Sequence, residues 1–359
     1  MNLRRTGDKT NSGFTLVEAL VAIFLGVLIL GTVTSLFQRA MDAIRVVSSR
    51  AEMQQNARAA VNYLSRDISL AGAGMPVGGV QLPNLVPSRF GTDAAGNVYV
   101  VNNTYPSGNH MFALIPNPGG GVVATQGGPL TDAITIVYLD NTFPLDQFTI
   151  TFPNGNGSAV LATPPAAPPQ PVPPINDPAT GIKIGDLVLL SNNASGQTVG
   201  EVTGVGADGT LRFADGDPLS INQSAAVAGN IVAPAPGSVT TASRIWVITY
   251  FLAVRPGPDG VVGTTDDVPI LMRQVNAQAP IPVAENIENL QFTYDTADDT
   301  GAVRANIKDV LAAGQPLSQI RKVNLSVRAR TVFNGHAAQQ LELTTSVSAR
   351  NLSFRDRYN

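Results

Sequence analysis

The chain of 359 residues has no cysteine. Disulfides, zinc–thiolate centres and cysteine nucleophiles are therefore excluded. Only two histidines occur, His110 and His336. Neither sits in a metal-ligand spacing, so a Ser-His-Asp triad or a histidine metal site has almost nothing to draw on. Charged residues make up 14 %, against about 25 % in an average soluble domain. The net charge of −3 leaves no broad basic surface, and nucleic acid is not an expected partner. Proline is missing before Pro76, although the chain holds 26 of them. What remains abundant is apolar: 44 % hydrophobic residues exclude wholesale disorder. The length allows roughly two domains at most.

The N-terminus carries the most specific signal. Residues 1–13, MNLRRTGDKTNSG, are polar, with Arg4, Arg5 and Lys9 against Asp8. Phe14 to Phe37 then form an apolar run of 24 residues with one charge, Glu18. At about 1.5 Å per residue such a helix covers roughly 36 Å, enough for a bilayer core of about 30 Å. The basic residues before it should stay cytoplasmic, placing the chain beyond Arg39 on the far side. A secretory signal peptide fits poorly, because its apolar region is shorter and ends in a small-residue cleavage site. A carboxylate in a membrane helix costs on the order of 2.5–3.5 kcal/mol. Glu18 has no Lys, Arg or His within a helical turn, so its partner is expected from elsewhere, or from a newly made amine.

Gly13-Phe14-Thr15-Leu16-Val17-Glu18 resembles the type IV prepilin signature, a short basic leader ending in Gly followed by Phe-Thr-Leu-x-Glu. The resemblance implies that a prepilin peptidase cuts after Gly13 and methylates the amine of Phe14. It also implies that Glu18 pairs with the N-terminal amine of a neighbouring subunit during fibre assembly. Partners implied are the peptidase, other major and minor pilins, and the inner membrane before assembly.

The helical pattern does not stop at Phe37: Leu36, Ala40, Ala43, Val47, Ala51, Ala57, Val61, Leu64 and Ile68 recur mostly at three or four residues. Arg39, Arg45, Arg50, Glu52, Arg58 and Arg66 lie between them as solvated faces. Gly72 and Gly74 make a C-terminal stop. The pattern predicts one helix from about Phe14 to Ala71, apolar all round in its first half (14–37) and amphipathic in its second (38–72). Within Glu52–Pro76, the residues Gln55, Asn56, Arg58, Leu64, Arg66, Asp67, Ala71 and Gly72 resemble a stretch of the PilW-type minor pilins.

From residue 73 the chain reads as short strands between turns, a β-rich first part (73–162) and a β-rich C-terminal part (179–359). Asn97–Asn102, Ala133–Leu139, Gln147–Phe152, Lys183–Leu190, Thr198–Val205 and Thr210–Phe213 are expected strands. Further strands are expected at Ser243–Val254, Val268–Val275, Ile287–Tyr294, Ile320–Val332 and Gln340–Asn351. Thr163–Pro178 holds 8 prolines in 16 residues and is expected to be an extended spacer. Residues 322–330 alternate apolar and polar, as in an antiparallel sheet with one wet face. The fold expected is α+β: a long N-terminal helix packed on an antiparallel β-sheet head with inserted strands, which is also what the pilin resemblance implies.

One loop is a candidate cation site. Gly257–Asp267, GPDGVVGTTDD, could bring Asp259, Asp266 and Asp267 together on calcium, although its spacing is not that of an EF-hand. Asp295, Asp298 and Asp299 read as a polar turn, and His110 as a surface loop residue. No P-loop, dinucleotide fingerprint or nucleophile pattern occurs, so no enzyme is expected. The function expected is that of a structural minor pilin, reaching the cell surface in a type IV pilus. A minor pseudopilin of a type II secretion system and a pilus-presented adhesin are the alternatives.

Overall fold

In the computed structural model the described residues are 14–76, 78–82, 89–92, 98–100, 110–125, 127–154, 158–166, 172–192, 196–219, 221–223, 231, 240–264, 266–298, 300–331 and 339–353. The leader with Gly13, together with His336, Asp299, residues 97, 101 and 102 of an expected strand, and residues 167–171 of the proline-rich segment, lies outside them. The chain packs as two units, Met1–Glu52 and Met53–Asn359.

A single helix, α1 (Leu16–Leu70), runs through both. Its bounds fall within two residues of those the apolar periodicity predicts. No proline interrupts it, and Gly26 and Gly31 stand in open space. In the first unit every residue from Phe14 to Arg45 is exposed. Hydroxyls inside this apolar stretch bond to the helix's own carbonyls: Thr32 Oγ1 to Ile29 O and Thr34 Oγ1 to Leu30 O, both at 2.8 Å. Such internal pairing is what hydrocarbon surroundings require of a polar side chain.

In the second unit the amphipathic pattern finds its sheet. Met53, Ala57, Ala60, Leu64 and Ile68 are buried in one core with Leu290, Phe292, Val323, Leu325 and Val327. Full burial of Leu64 or Ile68 contributes about 1.5–3 kcal/mol each. One of the sheets that line this core is antiparallel and four-stranded, in the order Val303–Ile307, Ile287–Ala297, Ile320–Arg330, Gln340–Ser348. The helix stops because Gly72 and Gly74 take φ of 75° and 71°, the left-handed region that spares glycine the Cβ clash. The Gly72 N–H then donates to Val137 O at 2.9 Å, tying the exit to the second sheet.

That second, seven-stranded sheet is organised by Thr240–Arg255. One edge of this strand pairs with Leu187–Asn192 along its start and with Val268–Val275 along its end. Asn276 fills the seam between them, donating its N–H to Val247 O at 2.7 Å and accepting the Val247 N–H at Oδ1 at 2.8 Å. The other edge pairs with Ala133–Leu139. The apolar run at 187–190 is continuous because both its faces are buried. Leu187 and Leu189 join the core with α1, whereas Val188 and Leu190 join a second core. This second core packs on a small sheet of Thr149–Thr151, Ala159–Thr163, Thr210–Arg212 and Gly204–Val205.

The fold is thus α+β, with a long helix and antiparallel sheets, as expected, and some local expectations change. The expected strand Thr198–Val205 is two, Gly196–Glu201 and Gly204–Val205, in different sheets. The expected Gln147–Phe152 begins as a 3-10 turn, Leu145–Gln147, before a three-residue strand. The last strand ends at Ser348, and Arg350–Ser353 form a short helix, α2. Within Thr163–Pro178, Ile175 is buried in the second core and its carbonyl accepts the Ile182 N–H at 2.7 Å. His110 is not a loop residue: it pairs in a short strand with Gln81.

Candidate processing and assembly site

The start of α1 is built from three residues. Thr15 is its N-cap: its carbonyl accepts the first intrahelical bond, from the Ala19 N–H at 3.1 Å. Its Oγ1 accepts the Glu18 N–H at 3.3 Å. Glu18 answers with one oxygen, Oε2, which accepts the Thr15 N–H at 3.0 Å and the Thr15 hydroxyl at 2.9 Å. This is a capping box, Thr-x-x-Glu, in which two otherwise orphaned N–H groups are satisfied reciprocally. A carboxylate there also suits the positive end of the helix dipole.

Glu18 therefore has a local partner, three residues away, and does not depend on another chain alone. The spacing Thr15-Leu16-Val17-Glu18 carries the signal for this cap within four residues. Both local bonds fall on Oε2, and Oε1 accepts none among the described residues. Cleavage between Gly13 and Phe14 would leave the Phe14–Thr15 amide, and hence the box, intact. Phe14 itself is 82 % exposed.

Residues 8–34 match the family model of the prokaryotic N-terminal methylation motif. The chain therefore carries a type IV prepilin signature. The match spans the leader junction and the apolar start of α1. No curated protein and no solved structure matches the chain. With the signature goes a helix long and apolar enough, by length and composition, to cross a membrane, and the motif supports a pilin-like chain processed at its N-terminus. The prepilin signature also implies a prepilin peptidase and other pilins as partners.

Further along α1, Asp67 is buried against the seven-stranded sheet. Its Oδ2 accepts the Tyr250 hydroxyl at 2.7 Å and Arg273 Nε at 2.9 Å, and Arg273 Nε also reaches Tyr250 Oη at 3.1 Å. Burial and then the Asp67 carboxylate push the phenol of Tyr250 well above its usual value, and that of neighbouring Tyr138 up to about 12. Burial works against the Arg273 charge, but Asp67 and Tyr250 outweigh it and raise its pKa. Tyr250 thus keeps its phenol proton and Arg273 its charge, the states in which both donate to Asp67. In the sequence Asp67 belongs only to the PilW-like stretch; its partners lie 183 and 206 residues away and carry no local signal.

A second buried cluster centres on Arg244. Its Nη2 donates to Asp140 at 2.5 Å and its Nη1 to the Gly181 carbonyl at 2.9 Å and to Asp186 at 3.4 Å. The guanidinium carbon lies 4.6 Å from the centre of the Trp246 ring, a cation–π contact. Burial holds the Asp186 carboxyl above its ordinary range. Asp186 therefore does more than lead a turn into the strand at 187.

The aspartates of the Gly257–Asp267 loop serve the loop's own backbone. Asp267 accepts N–H groups from Gly257 at 3.2 Å, Gly263 at 2.5 Å and Thr264 at 3.0 Å. Asp266 accepts the Thr264 hydroxyl, and Asp259 the Val261 N–H. Among the described residues no three acidic or imidazole side chains are gathered for a metal ion, so Asp259, Asp266 and Asp267 do not form one ligand set here. Asp298 closes a polar turn through Thr300 and Ala302. Asp295 instead bonds Lys322, Asn324 and the Asn306 N–H.

Proposed function

We propose that this chain is a minor pilin of the PilW type, a structural subunit that helps initiate or prime a type IV pilus. In this reading a prepilin peptidase cuts after Gly13 and methylates Phe14, with the basic leader cytoplasmic and the β-rich unit periplasmic, later at the cell surface. The observation that carries it is the methylation-motif match over residues 8–34, on a helix capped by Thr15 directly behind the cleavage junction. The new Phe14 amine lies one residue before the cap. Glu18 holds its own helix start through Oε2 and keeps Oε1 for the amine of a neighbouring subunit. Pairing that carboxylate offsets its cost in hydrocarbon without unmaking the cap. The Gln55–Gly72 stretch on the second half of α1 supports the PilW assignment, and the size of the β-rich unit suits a low-abundance position better than a repeated one.

The test is mass spectrometry of the native N-terminal peptide in membrane and sheared-fibre fractions. The expected result is a chain starting at N-methylated Phe14 in sheared fibres. A processed chain confined to membranes would favour a type II secretion pseudopilin or a priming subunit. An intact Met1–Gly13 leader in both fractions would overturn the prepilin reading.

A further inference from the structure

The four-stranded sheet ends in an unusual edge. Gln340–Ser348 pairs with Arg330–Lys322 over nine positions without a register shift, and among the described residues no strand lies on its other side. Natural edge strands are usually kept short, bulged, charged or broken by proline. Three other edges obey that rule: Ile281–Glu285 has Pro282 and a register shift, Leu114–Asn117 has Pro116, and Val303–Ile307 faces a register shift. Gln340–Ser348 has no proline, glycine or lysine. Its single charge, Glu342, is already matched within the sheet by Arg328 at 3.0 Å and Ser326 at 2.6 Å.

The direction of the free backbone groups is set by the strand's ends. The Gln339 carbonyl accepts the Thr331 N–H, and the Ala349 N–H donates to Arg321 O. Odd-numbered residues therefore point their backbone groups at the neighbouring strand. Gln340, Glu342, Thr344, Ser346 and Ser348 point theirs outward. The only backbone that meets such a row is another extended strand.

The sequence of the edge suits itself as that strand. In an antiparallel pairing centred on Thr344, Thr344 faces its own copy, Glu342 faces Ser346 and Gln340 faces Ser348. On the half-buried face, Leu341 meets Val347 and Leu343 meets Thr345, so the apolar residues all stay on one side. Each outward-facing pair exchanges two hydrogen bonds, about ten in all. The two Glu342 carboxylates lie four positions apart, about 13 Å, beyond the screening length of about 8 Å. From this we infer that Gln340–Ser348 is a homodimerisation edge, joining two copies of this chain into one continuous sheet. The inference stands on the β-rich unit alone and does not depend on the pilin reading.

The absence of cysteine makes the test direct. Single-cysteine variants of the full-length chain in detergent micelles are oxidised and run on non-reducing gels. Thr344→Cys is expected to give a cross-linked dimer, since facing Cα atoms at about 5.5 Å suit a disulfide. Val303→Cys, also an exposed site, on the opposite edge strand, should not. Gln340→Cys and Ser348→Cys should each show no cross-linked band alone and should cross-link when mixed. In light scattering the unmodified chain should be a dimer, and Thr344→Lys, which places a charge on the edge, a monomer. A monomeric unmodified chain, or cross-linking at Val303→Cys as strong as at Thr344→Cys, would overturn the inference.

Discussion

Removing the Asp67 carboxylate is the sharpest test of how α1 is held. Asp67 lies on the buried face of the helix, with its side chain 5 % exposed, and Arg273 opposite it is 19 % exposed. Asp67→Ala deletes the acceptor of both the Tyr250 hydroxyl and Arg273 Nε. Breaking a fully buried ion pair costs about 3–5 kcal/mol. Arg273 reaches some water, so the expected loss is about 2–4 kcal/mol. For a unit of this size about 2–4 °C of melting temperature goes with each kcal/mol, giving a fall of about 5–15 °C. The assay is thermal and urea unfolding of the full-length chain in detergent, monitored by circular dichroism. Repeating the substitution in an Arg273→Met background isolates the pair. There Asp67→Ala should cost only about 1 kcal/mol, the worth of the remaining Tyr250 hydrogen bond. An equal cost in both backgrounds would refute the pairing as the source of the loss, and a loss under about 0.5 kcal/mol would refute the anchoring altogether.

Two further outcomes are expected from the same packing. Glu201 is buried beside Asp217 and accepts the Leu219 N–H at 3.1 Å; burial and the neighbouring carboxylate push its pKa far above the ordinary range of about 4.5. Its folded pKa exceeds its unfolded one, so the folded state holds the extra proton and stability falls as pH rises above that range, by at most about 1.4 kcal/mol per pH unit; urea midpoints from pH 5 to 8 should show this fall, and Glu201→Gln should flatten it. Gly72→Ala places a Cβ 2.9 Å from Leu352 Cδ2 at a φ of 75°, and should lower stability by about 1–3 kcal/mol, whereas Ala at exposed Gly26, with nothing within 4 Å, should leave the urea midpoint unchanged or raise it.

Much of this architecture is legible locally. The extent of α1 is set by apolar spacing, the missing prolines and the glycines at 72 and 74, because a helix is specified by neighbours three and four residues apart. The strands at 133–139, 268–275 and 320–330 are likewise visible as β-branched or alternating runs. The split of 198–205 is not, since the choice between two sheets is made by which core each residue meets. Glu18 shows both sides. Its place in a prepilin signature is a matter of sequence, and so is the Thr-x-x-Glu cap, although a carboxylate without a nearby cation points first to a distant partner.

The processing signature, the span of α1 and its apolar length are all short-range properties, written in the order of the residues. That Asp67 meets Tyr250 and Arg273, that Arg244 gathers Asp140 and Asp186, and that Gln340–Ser348 is left as an edge are matters of tertiary packing. Each depends on contacts between residues far apart in the chain. Such partners are selected by the burial of both groups in one core, where an unpaired polar atom is costly, and no local pattern records that selection.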